Sequence, residues 1–187
     1  MRDLAILTFI TLDGVMQAPK MPEEDRSGGF DGGGWADPYW DEVMRLVGKE
    51  AMAEPYDVLF GRTTYDVFAA YATDDHPMHS FNKFVVTSDP ETLGWNHSTP
   101  ISGDVAAEVA RLKQQDGLLL QVHGSCELIQ TLLSHDLVDE LRLWTFPVVL
   151  GAGKRLFGSG AVPADFKLLK TDHTSNGVVM GIYRRVV

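Results

Sequence analysis

The sequence predicts one three-layer α/β domain, with a mixed, mostly parallel sheet and a C-terminal antiparallel hairpin. Three observations carry this. Apolar runs such as Asp3 to Ile10 and Leu118 to Val122 have the composition of strands buried on both faces. Stretches with apolar residues at helical spacing separate such runs, and strand–helix alternation implies parallel pairing. The last two alternating runs, Asp165 to Asp172 and Val178 to Val186, meet around Ser175-Asn176-Gly177, a hairpin signal.

Taken in order, the first run places Leu4, Ile6, Thr8 and Ile10 on one face and Ala5, Leu7 and Phe9 on the other, so the strand is expected to be central. Thr11 to Ala36 is Gly-rich and acidic, the signature of a functional lid or a disordered segment. Asp37-Pro38 supplies an N-cap and a first helical residue, followed by a buried stripe of Trp40, Val43, Met44, Val47 and Ala51. A strand from Tyr56 to Phe60 feeds a helix from Arg62 to Tyr71, with Tyr65 and Phe68 on one side. Lys83 to Thr87 and, more weakly, Ser98 to Ser102 read as strands. Asp104 caps a helix burying Val105, Val109 and Leu112. Leu118 to Val122 is a strand, and Gly124-Ser125 opens a helix carrying Leu128, Ile129, Leu132 and Leu133. Asp139 to Phe146 is the next strand, before a Gly-rich loop containing Gly151, Gly153, Gly158 and Gly160.

With 187 residues, 44% hydrophobic and 22% charged, the chain fits one soluble domain, 1–187, without linker or repeat. A net charge of −10 argues against nucleic acid as the main partner. No apolar run is long enough to span a bilayer, so no membrane partner is expected. A single cysteine and the lack of a signal-peptide layout are read as cytoplasmic.

Three strand-to-loop junctions share one chemistry: Gly61-Arg62-Thr63-Thr64, Thr87-Ser88 and His123-Gly124-Ser125. A helix start offers unpartnered N–H groups and partial positive charge. Glycine admits a ligand to the backbone, and arginine adds a fork suited to phosphate. Small polar residues are also what any strand-to-helix turn requires. Three together at the carboxyl edge of a sheet point instead to a nucleotide crevice. Gly151-Ala-Gly153 lacks the third glycine of a dinucleotide fingerprint, and Gly153-Lys154-Arg155 lacks the hydroxyl residue of a P-loop. His76 and His79 have no second ligand pair, so no metal is expected. Cys126 sits where a helix dipole lowers a thiol pKa, but with no histidine paired to it in sequence it reads as an inert small residue. With Trp40 central to its stripe, Asp41 lies about 100° round the helix and Glu42 about 200°. Asp41 then reaches a cleft edge, or pairs with Arg45, while Glu42 faces solvent.

These junctions, with Thr11-Leu-Asp-Gly-Val15, Leu137-Val-Asp-Glu-Leu141 and Phe146-Pro-Val-Val-Leu-Gly-Ala-Gly-Lys-Arg-Leu-Phe157, resemble the dihydrofolate reductase fold. Specifically, nearly the whole chain is similar to the reductase domain of the bifunctional riboflavin-biosynthesis deaminase-reductase, here as a stand-alone member. The resemblance implies an oxidoreductase that transfers hydride from NADPH to a pyrimidine- or pteridine-like carbonyl or imine, the small-molecule substrate. Gly61, Arg62, Thr63 and Thr64 would hold phosphates, and Thr87 and Ser88 the adenosine end. Gly124, Ser125 and Cys126 would seat the pyrophosphate, Val122 and His123 would be further cofactor-binding residues, and Leu12, Asp13, Gly14 and Val15 would border the nicotinamide. Arg62 argues for NADPH; Asp89 argues mildly for NADH. Asp41 approximates the family's helix carboxylate, and Trp35, Tyr39 and Tyr65 are substrate-side candidates, with Trp40 more simply core. His123-Gly124 stands where the family commonly has Gly-Gly, which puts the cis peptide found there in dihydrofolate reductases in doubt. Lys154 and Arg155 are the only clustered bases for a substrate phosphate. A homodimer is implied. The alternative is a non-catalytic nucleotide-binding or interaction module on the same fold.

Overall fold

The computed structural model describes residues 1–51 and 53–186. Eight strands, β1 (Leu4–Thr11), β2 (Tyr56–Gly61), β3 (Lys83–Val86), β4 (Ser98–Ile101), β5 (Leu119–His123), β6 (Glu140–Phe146), β7 (Phe166–His173) and β8 (Val179–Arg185), form one sheet in the order β4-β3-β2-β5-β1-β6-β8-β7. The six strands from β4 to β6 run parallel; β8 pairs antiparallel with β6 and with β7. Four helices complete the domain: α1 (Trp40–Ala51), α2 (Arg62–Tyr71), α3 (Val105–Gln114) and α4 (Cys126–Ser134).

Register explains the layers. Leu7 of β1 pairs with His123 of β5 and Arg142 of β6, so all three face the same way, as do Tyr56, Val58 and Phe60 of β2. That face carries two clusters. Val43, Val47 and Ala51 of α1 pack on Leu7, Trp144, Phe146 and Met180, whereas Tyr65 and Phe68 of α2 pack on Val58, Phe60 and Val85. The opposite face, with Leu4, Ile6, Leu59, Leu120, Val122 and Leu141, is covered by α3 and α4 through Val109, Leu112, Leu128, Ile129 and Leu132. The sandwich of helices about a central β1 matches the expectation, because alternate residues of β1 bury against different helix pairs.

The helix start at Asp37 is corrected. Asp37–Tyr39 is a 3-10 turn, and α1 begins at Trp40. Met44, expected in the buried stripe, is exposed, and Val105 is only half-buried beside Ala106. Asp104 caps α3 as expected, accepting from Ala107 N–H at 3.1 Å. The segment after β1 is pinned. Val15, Met16, Gln17 and Ala18 are buried, and Val15 bridges to Arg155. Gln17 is the hub: its amide donates to the Asp25 and Ser27 carbonyls and accepts from Lys154 N–H, while its own carbonyl takes the Trp35 indole at 2.8 Å.

Candidate active site

The carboxyl ends of β1, β2, β3 and β5 bring the predicted residues to one edge of the sheet. The α2 and α4 N-termini meet there. Ser125 Oγ accepts from Gly61 N–H at 2.8 Å, tying the end of β2 to the start of α4. A Cβ on Gly124 would reach Thr64 of α2 at 3.9 Å. Gly124 and Ser125 both have left-handed φ, 68° each, which turns the chain sharply from β5 into α4. Neither α2 nor α4 has a side-chain N-cap, whereas α3 does. Their first-turn N–H groups therefore have no side-chain cap, and both dipoles place partial positive charge at this edge. The peptide bonds of the described residues are all trans.

Arg62 lies along the third wall. Its Nε makes two bonds to Asp66, at 2.9 and 2.8 Å, and its Nη1 donates to Thr92 Oγ1 at 2.6 Å, above Thr87 and the Asp89 carbonyl. Thr87 Oγ1 also accepts from Asp89 N–H at 3.1 Å, while Ser88 and Thr63 are exposed. The fork is thus held at the mouth of a turn rich in hydroxyl and carbonyl groups, with its partners on the solvent side.

Other candidates fall elsewhere. Tyr65 is core: it is 2% exposed, and its hydroxyl accepts from the buried Trp95 N–H at 2.8 Å and sits 3.3 Å from Ser98. Tyr65→Phe is expected to cost about 1–3 kcal/mol by leaving that amide unpaired, with ligand binding unchanged; thermal unfolding beside a cofactor titration checks both. Val122 points into the α3–α4 core, and His123 faces the opposite side. Trp35 is buried against Phe146 with its indole spent on Gln17, while Tyr39 is half-buried against the same ring. Asp41 is exposed, on a shallow cleft of ≈ 370 Å³ with Lys20, Trp40, Arg45 and Asn176; none of the residues expected to hold the cofactor lines it. Its expected ion pair with Arg45 is absent among the described residues. Glu42, expected to face solvent, instead accepts from Ser175 N–H and hydroxyl at 2.6 and 2.8 Å, tying α1 to the terminal hairpin. Burial pushes the Cys126 thiol up to about 11, which favours the inert reading.

The loop after β1 carries a clamp that residue spacing does not reveal. Leu12 is exposed, and Gly14 turns with φ 81°. Asp13 accepts from Thr11 Oγ1, Gly151 N–H, Leu150 N–H and Arg155, and the bonds from Thr11, Gly151 and Leu150 hold its carboxyl far below the usual range. A depressed folded-state pKa contributes stability above the unfolded value near 4 that fades as pH falls below it. Faster amide exchange at Gly151 in Asp13→Asn, at neutral pH, is the expected result. Lys154 is paired with Asp25 at 3.0 Å and Arg155 with Asp13 at 3.3 Å, so the two clustered bases are both committed to carboxylates.

The RibD C-terminal domain family model matches residues 3–180. The chain belongs to that family. Among its relatives, the uncharacterized Bacillus subtilis (strain 168) protein YyaP is 31% identical over 136 residues, covering 67% of this chain and 72% of YyaP. The uncharacterized protein YwjB of the same organism is 34% identical over 100 residues, 54% of this chain and 57% of YwjB. A putative riboflavin biosynthesis protein from Shewanella sp. PV-4 has a similar structure, with TM-score 0.62, 19% identity and full coverage of both chains. Dihydrofolate reductase from Enterococcus faecalis, solved with NADP(H), aligns with TM-score 0.63 at 14% identity over 98% of this chain and 96% of that one. A pyrimidine reductase-like protein from Corynebacterium diphtheriae aligns with TM-score 0.65 at 11% identity, covering 100% and 92%. The fold is dihydrofolate reductase-like, and the family supports a reductase-type function. No helix among the described residues is long and apolar enough to cross a membrane.

Proposed function

We propose that this family member is a cytoplasmic NADPH-dependent oxidoreductase reducing a pyrimidine- or pteridine-like carbonyl or imine. The observation that supports it most is the convergence of two uncapped helix starts, α2 and α4, on one crevice laced by the Ser125–Gly61 bond. The residues fit a dinucleotide. Backbone N–H groups of α2 and α4 take the phosphates, and Arg62 takes a 2′-phosphate by exchanging its Asp66 bonds for charge-assisted ones. Thr87 and Ser88 flank the adenosine, and the clamped Leu12–Val15 turn borders the nicotinamide. When bound, the cofactor supplies hydride; the chain's part is to orient it and keep water out.

A phosphorylated riboflavin-pathway substrate is the less favoured acceptor, because Lys154 and Arg155 are already neutralised by Asp25 and Asp13. A non-catalytic module on the same fold draws support from Asp41, which lies on the outer cleft away from the cofactor residues. Fluorescence titration separates these readings. The parent is expected to bind NADPH, Arg62→Ala to bind it about 10- to 100-fold more weakly, and NADH affinity to change little. No NADPH binding by the parent would sink the enzyme readings. Binding without oxidation across a panel of pteridines and pyrimidines would favour the module. The proposal includes a homodimer, for which sedimentation equilibrium is the measure.

A further inference from the structure

Resting on the NADPH reading, the surroundings of Arg62 bear on how a 2′-phosphate is admitted and what opposes it. A guanidinium offers a bidentate anion two fork edges, Nε with Nη2 or Nη1 with Nη2. In this chain each edge is already claimed, and by groups of different chemistry. Both oxygens of Asp66 lie on Nε, at 2.9 and 2.8 Å. Nη1 donates to Thr92 Oγ1 at 2.6 Å and lies 3.5 Å from Thr87 Oγ1 and 3.4 Å from the Asp89 carbonyl.

The two edges are not equally easy to open. Thr92 belongs to a laced turn: its hydroxyl donates to the Asp89 carbonyl at 3.0 Å, and Thr87 Oγ1 accepts from Asp89 N–H at 3.1 Å. Freeing Nη1 therefore disturbs three linked residues. Asp66 stands one helical turn beyond Arg62 on α2, and the two side chains are 34% and 53% exposed. Among the described residues its carboxylate bonds to Arg62 alone. An exposed pair at that spacing holds weakly, and the carboxylate can turn into water at little cost.

We propose that the 2′-phosphate takes the Nε–Nη2 edge by displacing Asp66, and that Asp66 is an internal competitor that restrains affinity for a 2′-phosphorylated dinucleotide. Until the phosphate arrives, Asp66 neutralises the fork. Once displaced it remains anchored on the same helix face, where its charge opposes a phosphate that is close to a dianion at neutral pH. A dinucleotide with a free 2′-hydroxyl has no anion at that point and does not compete for the edge. Asp66 is thus a specificity-determining residue that acts against the phosphorylated cofactor.

The test titrates NADPH and NADH by fluorescence into the full chain and into Asp66→Asn, Asp66→Ala and Thr92→Val. Asparagine keeps a possible bond to Nε without the charge, and alanine keeps neither. Both Asp66 variants are expected to bind NADPH about three- to tenfold more tightly than the parent, with NADH within about twofold. The gain should shrink in about 0.5 M NaCl, as a surface charge effect must. Thr92→Val is expected to bind NADPH no more tightly than the parent. Weaker NADPH binding by Asp66→Ala would show that Asp66 steadies the fork for the phosphate, and would overturn the inference. An equal gain for NADH would reduce the effect to general relief of negative charge and overturn it too. Tightening by Thr92→Val with the Asp66 variants unmoved would place the phosphate on the other edge, with the same consequence. Each of these leaves the cofactor reading in place, whereas a parent that binds no NADPH removes that reading and this inference together.

Discussion

Asp57→Ala is expected to lose about 3–5 kcal/mol in urea unfolding, close to the limit for a single residue in a domain of this size. Arg2 is 5% exposed and Asp57 4% exposed, and they form a buried ion pair between the chain's start and β2. Each has a second partner: Arg2 Nε donates to the Leu118 carbonyl at 2.7 Å, and Asn82 donates to Asp57 at 3.0 Å. Removing the carboxylate strands a guanidinium where water cannot solvate it. The pair itself is worth less than its halves, because desolvation offsets most of the attraction. Arg2→Met with Asp57→Leu should therefore recover most of the loss. A double variant as unstable as Asp57→Ala would show that packing, not charge, sets the cost.

Gly153→Ala is expected to be the most damaging small change near the crevice, costing about 2–4 kcal/mol. Its φ of 119° is a conformation that L residues rarely adopt, and a Cβ there would sit 2.7 Å from Val15 Cγ1 and 2.9 Å from the Phe30 ring. Neither neighbour yields readily: Val15 is fully buried and tied by the bridge to Arg155. Release of the segment after β1 should show as proteolysis between residues 19 and 34 that the parent resists. An uncleaved variant with parental stability would show that the loop repacks at no cost.

Most strands and helices were legible because each buries a face whose period is written in the residues. β1 is largely apolar on both faces, and α4 sets Leu128, Ile129, Leu132 and Leu133 at helical spacing. The glycines and threonines at the starts of α2 and α4 are legible as turn residues because a sharp strand-to-helix turn needs small ones. What escaped depends on partners far apart in sequence. Nothing near Gln17 announces that its amide will bind Lys154, and Asp13 reads as an ordinary turn residue until the loop after β6 folds over it. Tyr65 looked available because the pattern gives the side of the helix but not the depth, and Trp95, which claims its hydroxyl, lies 30 residues on.

The strand order has a further consequence, for the growing chain. β1 pairs only with β5 and β6, so the first apolar strand to be made has no neighbour until Leu119–His123 exists. At synthesis rates of about 5–20 residues per second, that wait is roughly 10 s. During it β2 and β3 can pair beside an empty slot, and the fold stays open through its middle. The edge where the α2 and α4 starts meet, which needs both sides of that slot, is therefore a late product of translation. A ribosome stalled before β5 would hold a two-sided apolar strand with nothing to join, the form of this protein most exposed to aggregation.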